Sequence, residues 1–284
     1  MPHQIGFVEA GGGKLAHQKM LEVVATFAAA NGWTVLRFDT TQAQHELLLK
    51  APGLSGTEEI FVGMRTYENA NADYYNLTAA GFLGYVPGNS FATQPGAVLS
   101  GVPAHNIRID YWLTLNGQRL VLAMKVGTPV YESLYIGKML PYGLPSQYPY
   151  PLVVSGMLDG EPAIRFSDLN HSFGFKGNRN ALRLRTNDAW RAPYAYPWGN
   201  RWVAGSTNVY DTNMRDTNGT YALLPIELHD NSANLWGTLD GVFYISGFNN
   251  AVENTLTING HDFVVIQDTH RTGHADYVAF RMDN

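Results

Sequence analysis

His270 and His274, in the run His270-Arg271-Thr272-Gly273-His274, stand four residues apart, the spacing that puts two zinc ligands on one face of a helix. Gly273 and the short apolar runs on either side argue for a turn instead, and no Glu follows His270 to serve as a base. His3, His17, His45, His105, His171, His229 and His261 are scattered without ligand spacing and read as surface or satisfied core residues. Gly13-Lys14 invites a phosphate-loop reading, but Val8 stands where that loop needs its first Gly and Leu15 where it needs Ser or Thr. Glu58 and Glu59 open a strand, so their side chains point to opposite faces and cannot act as a pair. Asp39, Asp73, Asp110, Asp168 and Asp276 are isolated, and no Gly-x-Ser-x-Gly elbow occurs. Cysteine is absent, which excludes disulfides, thiolate metal sites and thiol nucleophiles. The expectation is a protein with no catalytic residues, no metal and no cofactor.

Two other groupings stand out. Lys176, Arg179, Arg183, Arg185, Arg191 and Arg201 form the only basic cluster, interleaved with apolar residues like the solvent face of a strand. With a formal charge of −5, nucleic acid is not an expected partner. The aromatic residues are the stronger signal. Tyr131, Tyr135, Tyr142, Tyr148 and Tyr150 crowd one region, and Tyr194, Tyr196 and Trp198 a second. Such rings anchor protein interfaces, where they supply buried area and a polar tip, and they equally suit stacking on sugars. Tyr142, Tyr148, Tyr150, Tyr194, Tyr196 and Trp198 are the candidate interface residues. Only 15% of the residues are charged, which suits permanent contact with other subunits.

The elements that must position these residues fall into two parts. Residues 15–30 carry Ala16, Met20, Val23, Val24 and Phe27 as an apolar stripe at helical spacing, with His17, Gln18, Lys19 and Glu22 off it and Asn31-Gly32 as a left-handed stop. Strands are expected at 33–38, 46–50, 59–67 and 74–85, and a Gly-, Pro- and Ser-rich surface loop at 87–105. Asn116-Gly117 between two apolar runs predicts a two-residue type I′ hairpin pairing Leu113 with Leu120, Tyr111 with Leu122 and Ile109 with Met124. One face of that hairpin is apolar and the other mixed, as in a sheet covered on one side. A third strand follows at 130–136. The four prolines Pro141, Pro145, Pro149 and Pro151 then make a rigid, tyrosine-rich loop.

Past Gly156 the strands shorten: 220–228, 241–246, 254–258, 261–267 and 276–282, with a second type I′ hairpin at Asn259-Gly260 pairing Leu256 with Phe263. The fold class expected is an α+β domain over 1–156, one long helix on an antiparallel sheet, followed by a mainly-β domain over 157–284, a sandwich or small barrel. No uncharged apolar run reaches about eighteen residues, so no membrane-spanning helix is expected. Nor does the N-terminus read as a secretory signal.

The run Tyr111-Trp112, Asn116-Gly117-Gln118-Arg119, Lys125-Val126, Tyr135-Ile136-Gly137, Leu140-Pro141-Tyr142-Gly143 and Pro145-Ser146-Gln147-Tyr148-Pro149-Tyr150-Pro151, with residues 50–63 and 267–273, resembles a family of virion structural proteins of tailed bacteriophages. The resemblance implies a particle component of the tail, baseplate or neck, residing in the virion after assembly in the host cytoplasm. Its partners would be other virion proteins and further copies of itself, with no membrane. The resemblance carries over no catalytic residues. A rival reading from another class is a carbohydrate-binding receptor module at the tail tip. A third, a cell-wall or polysaccharide hydrolase, finds nothing positive in the sequence.

Overall fold

The computed structural model describes residues 2–143, 152–177, 181–186, 189–199, 218–230, 232 and 234–282. The chain opens with β1 (His3–Glu9) and a glycine turn, then α1 (Ala16–Ala30). Gln18 Oε1 accepts a hydrogen bond from Leu15 N–H at the helix start, and Gly32, at φ 86°, ends it in the left-handed region. Next come β2 (Thr34–Asp39), β3 (Glu46–Ala51), β4 (Ile60–Asn69), β5 (Tyr74–Phe82) and β6 (Val98–Pro103). The middle of the chain forms β7 (Arg108–Leu115), β8 (Arg119–Lys125), β9 (Tyr131–Lys138), β10 (Leu140–Pro141), β11 (Leu152–Ser155) and β12 (Leu158–Asp159). It is followed by β13 (Leu182–Arg185), β14 (Trp190–Arg191) and β15 (Tyr194–Tyr196). The last strands are β16 (Leu224–His229), β17 (Leu235–Tyr244), β18 (Thr255–Ile258), β19 (His261–Gln267) and β20 (Tyr277–Arg281).

These strands make three antiparallel sheets. The central sheet has the order β1-β7-β8-β9-β11-β13-β14, the N-terminal sheet β12-β6-β5-β4-β3-β2, and the C-terminal sheet β15-β16-β17-β20-β19-β18, with β10 joined to β17. The protein is thus mostly antiparallel β with one α-helix among the described residues. One cluster of buried apolar side chains runs from Met20, Leu21 and Val24 of α1 through Leu113 and Leu122 of the central sheet to Ile226, Val264 and Phe280 of the C-terminal sheet. Each such side chain stabilises the fold by about 1.5–3 kcal/mol on full burial. The expected boundary at 156–157 is crossed by hydrogen bonding, since β12 pairs with β6 and β13 with β11.

Four expectations need correction. The helix stripe is rotated: His17, Leu21, Ala25 and Ala28 are buried, whereas Val23 and Phe27 are only partly so. His17 tolerates this because its Nε2 meets Glu68. The stretch 87–105 is no surface loop. It holds β6, paired along β5, and Phe91, which is fully buried against Phe82. The central hairpin pairs Leu115 with Leu120, Leu113 with Leu122 and Tyr111 with Met124, two residues away from the expected register. A shift of two preserves which side chains share a face, so the apolar grouping survives although the partners change. Finally, both faces of this hairpin are covered: Leu113 and Leu122 on one, and Thr114, Val121 and Ala123 on the other, are all fully buried. Layers on both sides of the central sheet cover this part of the hairpin.

Candidate subunit interface

β10 lays Leu140 and Pro141 beside Thr238 and Gly237, and Tyr142 N–H then donates to Trp236 C=O at 3.1 Å. This brings the first candidate ring to the edge of the C-terminal sheet. Tyr142 is 54% exposed, and its hydroxyl donates to Glu227 Oε1 at 2.8 Å. Glu227 sits on β16 directly opposite Tyr196 of β15. Partial burial, and then the hydrogen bond to the Glu227 carboxylate, push the Tyr142 hydroxyl up to about 12. Burial followed by the charge of Glu227 raises Tyr196 as well. Two rings that are 54 positions apart by their numbers, Tyr142 and Tyr196, therefore share one carboxylate.

The other candidates divide. Tyr194 stacks on His229, with centroids 5.6 Å apart and planes at 24°. Trp198 is turned inward: its Nε1 donates to Ala275 C=O at 2.7 Å, and its ring meets Tyr244 edge-on. It supports the core. Tyr148 and Tyr150, with the rest of the proline run from 144 to 151, lie outside the described residues. Tyr131 and Tyr135 are buried, and Tyr135 Oη donates to Lys138 C=O at 2.6 Å.

The structure also assembles two polar centres that sequence reading missed. Arg119 is fully buried, and its Nη1 donates to Thr114 Oγ1 at 2.5 Å with Asp240 Oδ2 at 4.0 Å from Nε. Asp240 also accepts from Asn116 Nδ2 at 2.6 Å and Gln118 Nε2 at 2.9 Å, which ties the central sheet to the C-terminal one. Burial pulls the guanidinium below its ordinary value, and Asp240 opposes that pull. In the second centre, Glu132 Oε1 lies 2.6 Å from His171 Nε2, both buried. Beside them, the buried Asp268 carboxylate accepts from Phe173 N–H at 2.6 Å and from Lys176 Nζ at 2.5 Å, while Arg271 Nη1 donates to His171 C=O at 2.5 Å. Burial pushes the Glu132 carboxyl up to about 7, against the hydrogen bond and charge of His171. For His171 burial acts against protonation, yet the hydrogen bond and charge of Glu132 outweigh it and raise the imidazole. The signal available in the sequence was Glu132 itself, a lone acid near the start of a largely apolar strand.

His270 and His274 lie in the connection between β19 and β20, where His274 C=O accepts from Gly247 N–H and Tyr244 Oη. Among the described residues no group of three or more His, Asp or Glu side chains is arranged to hold a metal ion. Lys14 pairs with Glu22. The basic cluster is divided by its partners: Lys176 binds Asp268 and Asp276, and Arg183 binds Asp159. Arg179 and Arg201 lie outside the described residues. No helix among the described residues is long and apolar enough to cross a membrane.

The arrangement that presents chemistry outward is thus the Tyr142–Glu227–Tyr196 group. No protein-family model matches the chain, and no curated protein matches it.

Proposed function

We propose that this chain is a structural subunit of a tailed-phage particle, in the tail, baseplate or neck, and that it acts through protein–protein interfaces without catalysis of its own. The observation that carries this reading is the exposed Tyr142 ring, held by Glu227 beside Tyr196 where the tyrosine-rich proline run begins. A ring fixed by a hydrogen bond loses little further freedom on docking, which favours it as an anchor. The resemblance of residues 107–151 to virion proteins and the low share of charged residues support the same reading.

Mass spectrometry of gradient-purified particles, with copy counting, tests the proposal. The protein should be present in several copies per particle. Its absence from particles, while abundant in the infected-cell lysate, rules the proposal out. The double change Tyr142→Ala with Tyr196→Ala should leave the free chain folded but reduce incorporation, since each interface anchor contributes about 2 kcal/mol or more. An exposed ring beside a carboxylate also suits a sugar, so the second reading is a carbohydrate-binding receptor module at the tail tip. Binding of the purified chain on a glycan array, abolished by Tyr142→Ala, would favour it over the first.

A further inference from the structure

Among the described residues β1 is the one long, regular strand left at a sheet edge. The other edges are blunted: β12 and β14 have two residues each, β15 three and β18 four, while β2 is irregular between Val35 and Arg37. β1 has seven residues and an unbroken register on β7. Pro2 C=O accepts from Leu115 N–H and Ala10 N–H donates to Ile107 C=O. Alternation therefore turns the N–H and C=O groups of His3, Ile5, Phe7 and Glu9 away from β7, toward the free edge.

A cleft lies on each side of that edge. One, of about 430 Å³, runs between His3 and Ile5 of β1 and Thr255, Thr257, Phe263 and Met282 of the C-terminal sheet and its end. The other, of about 330 Å³, lies between Gln4 and Val8 of β1 and Lys19, Glu22 and Val23 of α1. A strand added beside β1 would drop alternate side chains into both clefts, so that backbone pairing supplies affinity and the clefts supply selectivity. Meanwhile Ile5 and Phe7 stand 54% and 56% exposed on the strand's outer face.

We propose that the strand that docks there is β1 of a second copy of this chain, antiparallel about a two-fold axis through Gly6. The direction of the free backbone groups allows only registers that oppose odd-numbered residues to odd-numbered ones. Of these, the register centred on Gly6 uses the whole strand. It sets Ile5 against the partner's Phe7, and His3 against the partner's Glu9, and by symmetry the reverse. Two apolar pairs are thus flanked by two polar pairs, each a histidine against a glutamate. A shift to either side sets Ile5 against the partner's Glu9 or Phe7 against the partner's His3, which breaks the match. Gly6 leaves no side chain at the axis on the α1 side. Seven strand residues bury less than the roughly 800 Å² per partner of a standard interface, so the dimer should form only at raised concentration. Pairing belongs to the free chain, whatever particle it enters.

Sedimentation velocity over a concentration series tests the dimer, and the absence of native cysteine makes its register testable by cross-linking. Phe7→Lys, which also removes the ring under the Arg108 guanidinium 4.2 Å away, should leave the free chain folded and weaken association about tenfold or more, because the symmetry applies the change twice. Hydrogen-bonded strand partners have Cα atoms about 5.5 Å apart, inside the disulfide range. Under mild oxidation an equal mixture of the Ile5→Cys and Phe7→Cys variants should therefore form covalent dimers joining one variant to the other, and neither variant alone should. A chain that stays monomeric at every concentration, or a dimer indifferent to Phe7→Lys, overturns the proposal. So does cross-linking of the single variants without cross-linking between the two.

Discussion

Two hairpins in this protein carry the same Asn-Gly dipeptide and end differently. At Asn259-Gly260 both residues take positive φ, 52° and 77°, and Ile258 pairs with His261 across a two-residue loop. Nothing lies within 4 Å of a Cβ built on Gly260. At Asn116-Gly117 neither residue has positive φ, and the first pair across the loop is Leu115 with Leu120. There Asn116 is used by its surroundings. Its Oδ1 accepts from the N–H groups of Gln118 and Arg119, its Nδ2 donates to Asp240, and its C=O accepts from Trp33 Nε1 at 2.7 Å. The exposed tip follows its local preference. The half-buried tip is shaped by partners that pay back more than the type I′ geometry would.

The largest test of this contrast is Asp240→Leu, which should remove the acceptor shared by Asn116 and Gln118 and the charge that faces the buried Arg119. An uncompensated buried charge costs about 3–5 kcal/mol, read as the loss in denaturant unfolding free energy. Pairing it with Arg119→Met should restore most of that loss, and a double variant as unstable as the single would show that Asp240 does not act through the guanidinium.

Gly117→Val comes next, with an expected loss of about 1–3 kcal/mol from overpacking. A Cβ at Gly117 would lie 2.4 Å from Gly53 C=O, so the strain comes from a neighbouring backbone rather than from a left-handed φ. Gly117→Asn should therefore fail as badly as Gly117→Ala. If Gly117→Asn melts like the wild type, the close approach is not what holds the position.

The third test asks whether burial around the central sheet also governs pH response. Glu132 and His171 are both shifted upward in the folded state. Each thus contributes stability that is present below its unfolded value and lost as pH rises through the folded one. The chain should lose stability from about pH 5 to above pH 7, by on the order of 3 kcal/mol. Thermal melts of Glu132→Gln should show a flatter profile over that window, and an equal slope would mean that other groups set it.

The smallest effect belongs to the exposed tip. Gly260→Ala should cost about 1 kcal/mol because of its φ of 77°, whereas Gly260→Asn should cost less, since Asn tolerates that region. A rescue by Asn at Gly260 but not at Gly117 would separate backbone preference from tertiary crowding.

The same division runs through the whole chain. Elements whose determinants are local were legible from sequence. The helix and its Asn31-Gly32 end, the strand at 261–267, and the pairing of Leu256 with Phe263 follow from period, turn residues and β-branching, which act over a few residues. The largely buried central hairpin was legible only as a hairpin. Its register depends on Asp240 and Gly53, which the sequence does not place beside Asn116.

β6 was hidden for a related reason. Val98-Leu99-Ser100-Gly101-Val102-Pro103 reads as loop by composition, yet β5 and β12 supply ladder partners on both sides. Gly101 serves there because Gly160 C=O would come within 3.1 Å of a Cβ. Likewise the stripe of α1 had the right period but the wrong azimuth, because Glu68 makes burial of His17 affordable. Of the candidate interface, residue type was legible and grouping was not. Tyr142 and Tyr196 meet only through Glu227, and Trp198 turns inward toward Ala275. Periodicity and turn chemistry are short-range and can be read along the chain. Which charges meet, which faces stay dry and which rings point outward depend on contacts between distant segments, and only the packed layers decide them.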